Sequence, residues 1–225
     1  MLVLIGGQKG GGGKTTVATN LVVERIKKNK DAFLYDMDEQ KTATLWASRR
    51  DEFTELSRVN SSQKVLDKRI INVGNVIRNE LLAIIGKYED IIIDGGGIDN
   101  EALRAALSLA DVAIFPIIPS EFDMWTFEHL SNLVACAQGK DAKLIAKVLL
   151  NKVHTNPLTA SKQINECDDF LSDYNNLTKF DSYLSERITI RRASGKGMGI
   201  TEYSPIDSKA ISEVNLIYEE VFNDR

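Results

Sequence analysis

The chain has 225 residues, 43% hydrophobic and 27% charged, with a net charge of −4. That balance excludes a wholly disordered chain and a polycation, so any contact with nucleic acid must use a local patch. Cys136 and Cys167 form no CxxC, which excludes a disulfide framework and a close-spaced cysteine metal site. A chain of this size buries roughly 70–75% of its unfolded surface and needs no such staple. One domain spanning residues 1–225 is expected.

In chain order, short apolar runs alternate with longer amphipathic stretches. Leu2–Ile5 is the first run; it is too short, and lacks the basic lead, for a signal peptide. The others are Ala32–Tyr35, Ile91–Ile93, Val112–Phe115 and Leu144–Leu150. Each reads as a strand buried on both faces. Helices are predicted over 14–28, 41–52, 73–87, 100–109, 122–138, 157–174 and 206–222. The last would put Ile206, Ala210, Val214, Ile217 and Val221 on one side. The stretches 53–72 and 175–200 read as loops with short edge strands. Such alternation implies an α/β fold, a mostly parallel twisted sheet with right-handed crossovers and helices on both faces. No stretch approaches the roughly 20 apolar residues of a membrane span, so a cytoplasmic protein without a membrane partner is expected.

Between the first strand and the first helix lies Gln8-Lys9-Gly10-Gly11-Gly12-Gly13-Lys14-Thr15-Thr16. Glycines let backbone N–H groups close around phosphate oxygens, and the following helix presents its positive end to the same anion. Gly10, Gly11, Gly12, Gly13, Lys14, Thr15 and Thr16 would form a nucleotide cradle. Lys14 would reach the β- and γ-phosphates, and the Thr15 hydroxyl would bind Mg²⁺. The general loop pattern has glycine where this chain has Gln8. Lys9 beside it is better placed to reach a partner's nucleotide than its own, which Lys14 and the loop already surround.

From Lys9 to Thr15 the chain resembles the deviant Walker A ATPases of the ParA/MinD family, whose motif is KGGxGK followed by Thr or Ser. The resemblance implies a P-loop NTPase-like three-layer sandwich, ATP as ligand, and a homodimer in which each Lys9 contacts the other subunit's phosphates. It makes Lys9, Lys14 and Asp38 the catalytic set. Asp36-Met37-Asp38-Glu39-Gln40 matches the family's DxDPQ except for Glu39 in place of proline. There the resemblance assigns Asp38 to orienting the attacking water and Asp36 to the Mg²⁺ shell or a switch network. Ile91-Ile92-Ile93-Asp94 has the Walker B form, with Asp94 in the Mg²⁺ shell at a strand's carboxyl end. The following Gly95-Gly96-Gly97 turn suits a sensor of the γ-phosphate, to which Asp99 could contribute.

Family members place an adenine-contacting Asn where this chain has Asn151. His154 stands where guanine readout needs Asp. The Ser204-Pro205-Ile206-Asp207 turn matches where the family closes over the base, which puts Pro205 in the nucleotide site; it reads equally well as a helix start. Arg187, Arg191, Arg192 and Lys196 cluster with a single acid, Glu186. That local excess suits sequence-independent contact with DNA phosphates, which the resemblance also implies. Lys27, Lys28 and Lys30 suit the first helix's negative end. Trp125 and Phe127 read as core or dimer-interface packing, and His129 and His154 are isolated.

The expectation is therefore a slow, partner-stimulated ATPase of the ParA type. It would partition DNA or position cargo, associate with the nucleoid, and answer to a separately encoded centromere-binding or cargo adaptor protein. Because the first strand starts at residue 2, no N-terminal helix-turn-helix domain is expected. One alternative is a MinD-type membrane-cycling ATPase, opposed by a tail from Ile206 to Arg225 with two basic and five acidic residues. The other is a metabolic P-loop ligase, for which the sequence offers no substrate pocket.

Overall fold

The structure, a computed structural model, describes residues 1–7, 10–57, 74–96, 100–119, 127–139 and 143–222, with backbone alone at 53–57 and 74–76. Gln8, Lys9, Gly97, Asp99, Trp125 and most of the 53–72 stretch lie outside the described residues.

Strands β1 (Leu2–Ile5), β2 (Ala32–Asp36), β3 (Asp90–Asp94), β4 (Val112–Ile117), β5 (Ile145–Leu150) and β6 (Thr178–Lys179) form a six-stranded sheet in the order β2-β3-β1-β4-β5-β6. Every pairing is parallel. All five predicted strands are present within two residues at either end. The addition at the end of β4 includes Pro116, which pairs in register with Leu149. Proline is tolerated there because β1 pairs only as far as Ile114, so this stretch of β4 has a free edge on that side.

Side chains alternate across the sheet, so β1 sends Leu2 and Leu4 to one core and Val3 and Ile5 to the other. The first core is covered by α3 (Gly74–Ile84), α4 (Glu101–Leu107), α5 (Phe127–Gln138) and α6 (Pro157–Leu171). The second is covered by α1 (Lys14–Lys27), α2 (Thr42–Ser57), α7 (Ile188–Gly195) and α8 (Ser208–Phe222). The result is the three-layer arrangement, helices on both faces. Phe127 is fully buried in the first core, as its packing role requires.

Two expectations are corrected. Residues 175–200 are not only loop and edge strand, because α7 forms within them, followed by a 3₁₀ turn at Ile200–Glu202. The alternation Ile188-Thr189-Ile190 has the period of a strand, and β-branched residues lower helix propensity. Burial of Ile190 and Ala193 against the second core favours the helix nonetheless. Ile206 does not join the apolar face of α8. It precedes the helix and is 77% exposed, while Ala210, Val214, Ile217, Tyr218 and Val221 are buried.

β1 lies in the middle of the sheet. From its carboxyl end the chain crosses to β2 on one side, and later strands build out on the other. Ligands of open parallel sheets sit at such a switch point, outside the carboxyl ends of the strands.

Candidate nucleotide site

The glycine run Gly10–Gly13 lies between β1 and α1. Gly13 sits at φ 95 directly before α1 and offers no side-chain cap, so the first turn's N–H groups have no capping side chain. Such a helix start is a ready anion site. Gly13 cannot be replaced by a residue with a Cβ: its φ is left-handed, and the added atom would lie 1.9 Å from Asn151 Nδ2.

Beneath this loop, Asp94 stands at the end of β3, in register with Ile5 of β1 and Asp36 of β2. The Thr15 hydroxyl donates to Asp94 Oδ2 at 2.7 Å. Asp94 Oδ1 is buried with no hydrogen-bond partner. Burial above all, then repulsion from Asp36 and Asp38, pushes the Asp94 carboxyl up to about 7, against the Thr15 hydrogen bond and Lys14. Lys14 is itself buried, and burial lowers its ammonium below the ordinary lysine value, opposed by Asp94 and then Asp38. The adjoining turn is pressed against β1. A Cβ on Gly95 would come within 2.8 Å of the Ile5 carbonyl, which already accepts the Gly95 N–H at 2.8 Å.

Asp36 and Asp38 share this rim in different ways. Asp36 is committed to local structure: Oδ1 accepts the Asp38 N–H at 3.0 Å, and Oδ2 accepts the Thr44 N–H and hydroxyl, both at 2.8 Å. It therefore ties the first turn of α2 to the end of β2. Asp38 accepts the Gln40 N–H through Oδ1, at 3.0 Å, in a local turn. Asn151 follows β5 and lies on the opposite side of the loop, donating to the Gly12 carbonyl at 2.6 Å, while Lys152 Nζ donates to the Gly11 carbonyl at 2.8 Å.

The remaining sequence candidates lie on the segments from Arg187 to Asp207. Pro205 is exposed. Its turn leads into Asp207, which caps α8 by accepting the Ala210 N–H at 3.1 Å and takes the Thr189 hydroxyl at 2.7 Å, so the turn serves as a helix start. Arg187 does not stand free with its neighbours. It donates to Glu213 at 2.9 Å and lies 4.0 Å from Asp207, its side chain 17% exposed. Arg191, Arg192 and Lys196 are exposed on and just after α7. Arg49, exposed on α2, joins them by donating to the Gly195 carbonyl at 3.1 Å; its linear neighbours gave no signal of this. The dipole role assigned to the α1 lysines is refined, since Lys28 pairs with Glu219 at 2.9 Å and Lys30 with Glu89 at 3.4 Å.

A family model for the CobQ/CobB/MinD/ParA nucleotide binding domain matches residues 3–200. The chain belongs to this family. Among curated family relatives, a protein named ParA from Rhizobium radiobacter is 26% identical over 60% of this chain, and the chain spans 56% of that protein's length. Maintenance of carboxysome distribution protein A from Gloeobacter kilaueensis is 24% identical over 96% of this chain and 91% of its own. The fold is shared with a putative plasmid partition protein from Borrelia burgdorferi solved with AMPPNP, at a TM-score of 0.71 and 18% identity, covering 100% of this chain and 99% of that one.

Proposed function

We propose that the protein is a ParA-type ATPase, working as one domain over residues 1–225, that closes on ATP as a sandwich homodimer to position cargo or partition DNA. The observation that carries this reading is the buried, partnerless Asp94 oxygen beside the Thr15 hydroxyl, under a glycine loop at an uncapped helix start. A buried unpaired carboxylate oxygen is costly and calls for a cation. Among the described residues no group of three His, Cys, Asp or Glu could hold a metal. Mg²⁺ does not need one, being held through one or two carboxylates plus substrate phosphates. Thr15 and Asp94 would hold it, with Asp36 behind them; when bound, it offsets charge on the β- and γ-phosphates.

The protein's own groups then divide the work. The first-turn N–H groups of α1 and Lys14 bind the phosphates, including Thr15 and Thr16 of that turn. Asp38 orients a water in line with the γ-phosphate. Lys9 reaches the phosphates of the neighbouring protomer, which makes turnover depend on dimerisation. Hydrolysis is slow until an adaptor protein, centromere-binding or cargo-bound, stimulates it. Exposed Arg49, Arg191, Arg192 and Lys196 supply a surface for DNA backbone, doubled in the dimer, and place the ATP form on the nucleoid.

One observation favours this over membrane cycling: α8 spends its apolar face on the second core, so that face is not free for lipid. The near full-length likeness to a carboxysome-distribution protein supports positioning over a ligase activity.

The test is a gel shift of DNA fragments of unrelated sequence with ADP, ATP and a slowly hydrolysed ATP analogue, at fixed salt. The expected result is retardation with ATP and the analogue only, equal across sequences. Equal retardation with ADP, or none in any nucleotide at low salt, would contradict the proposal.

A further inference from the structure

The bonds from Asn151 and Lys152 to the glycine loop have a directional consequence. A peptide unit is planar and trans, so the carbonyl of one residue and the N–H of the next point opposite ways. Lys152 Nζ holds the Gly11 carbonyl and Asn151 Nδ2 holds the Gly12 carbonyl, at 2.8 and 2.6 Å. Two successive peptide planes therefore have their carbonyls drawn toward the end of β5. The N–H groups on those same planes, belonging to Gly12 and Gly13, are turned away from it. Anion sites made of backbone need that arrangement, N–H groups inward and carbonyls out.

The glycine run Gly10–Gly13 has no side chains with which to fix its own peptide orientations, and glycine loses the most freedom on ordering. Its two tethers are themselves held. The Asn151 N–H donates to the Ile117 carbonyl at 2.7 Å, and Asn151 Oδ1 accepts the Lys152 N–H at 2.9 Å. Lys152 adopts φ 56, a left-handed conformation that a residue with a Cβ takes only under constraint. Gly13 leaves the space that Asn151 Nδ2 fills.

We propose that Asn151 and Lys152 are positioning residues that preorganise the loop for the polyphosphate of the ligand, whatever base it carries. This deepens and rests on the nucleotide-binding reading above. The family resemblance implies a base contact for Asn151; in the structure its amide donates to the loop, and Lys152 works with it. Fixing the loop beforehand removes an ordering cost from binding, so the benefit extends to a ligand with no base.

The experiment measures affinity for ATP, GTP and inorganic tripolyphosphate, each with Mg²⁺, in the full chain and in Asn151→Asp, Lys152→Ala, Lys152→Arg and Lys14→Ala. Asn151→Asp keeps the shape and the acceptor for the Lys152 N–H but sets an oxygen against the Gly12 carbonyl. ATP and tripolyphosphate are expected to weaken together, by about tenfold or more in Asn151→Asp and about threefold to tenfold in Lys152→Ala. Lys152→Arg should recover most of the loss, and the ATP-to-GTP ratio should stay constant. Ligand-free melting of Lys152→Ala, a change at the surface of the site, checks that the fold is intact; it decides the matter if Asn151→Asp does not fold. Loss of ATP binding with tripolyphosphate unaffected would assign Asn151 to the base and overturn the inference. So would unchanged affinities in Lys152→Ala while Lys14→Ala loses them. A wild-type chain that binds neither ligand, or Lys14→Ala binding both normally, would instead overturn the nucleotide reading itself.

Discussion

At the glycine loop a buried carboxyl is left short of partners, whereas between β6 and α8 the half-buried charges are paired. Asp94 keeps one buried oxygen without a hydrogen bond, and α1 begins without a side-chain cap. In the second region Arg187 meets Glu213, Asp207 meets Thr189 and the α8 backbone, and Arg50 of α2 grips Glu202 with both nitrogens at 2.7 Å. Unmet polar groups in the interior are costly, so the first region is shaped for something that arrives. The second is shaped to hold α7 in place. What α7 offers a partner is on its outside, where Arg191 and Arg192 are exposed.

The largest effect that separates the two regions is on turnover. Asp38→Ala should lower ATP hydrolysis by about a hundredfold or more while leaving ATP binding within a few-fold, because it removes only the group that orients water. Steady-state phosphate release alongside calorimetric ATP binding checks this; normal turnover would remove Asp38 from catalysis. Changing Arg191 and Arg192 together to Ala should do the converse. ATP binding stays unchanged, while DNA affinity falls about tenfold at moderate salt and the salt dependence flattens by about one unit of slope per lost phosphate contact. DNA titrations at several salt concentrations measure it, and an unchanged slope would move the DNA surface elsewhere.

How much of this was legible in the sequence follows the same divide. β1, the loop, α1 and Asp94 could be read in advance because phosphate chemistry dictates residue types at fixed spacing. The order in which β3 lies between β1 and β2 could not, since spacing along the chain does not say which strand is a neighbour. Asn151 was visible, but not its direction; the reach of its neighbour Lys152 to the Gly11 carbonyl is a contact that only the fold reveals. α7 is not legible because Ile188 and Ile190 alternate like a strand, and it is burial of Ile190 and Ala193 in the second core that favours the helix. Arg187 belongs to a basic cluster in the sequence; its pairing with Glu213, 26 residues away along the chain, is invisible there. Arg49 joined it through α2, a contact that no local pattern announces.

The smallest effect sharpens the contrast through stability. The Asp94 carboxyl is raised to about 7, chiefly by burial, so the folded state prefers its neutral form. Its contribution is fully favourable below the ordinary carboxylate range, near pH 4, and is lost as pH rises from there through about 7. Asp94→Asn cannot ionise. In the absence of nucleotide it should melt several degrees above the wild type at pH 8 and close to it at pH 5. Melting curves at the two pH values test this, and an equal or inverted difference would mean that Asp94 is not under strain.

The central claim is that the loop, Lys14, Thr15 and Asp94 form one Mg²⁺-dependent site for a nucleoside triphosphate. Calorimetric titration of ATP into the wild type and Lys14→Ala, each with Mg²⁺ and with a chelator, tests it most directly. The account predicts saturable one-to-one binding in the wild type, weakened at least tenfold without Mg²⁺ and absent in Lys14→Ala. Equal binding by the two proteins, or binding indifferent to Mg²⁺, would contradict it.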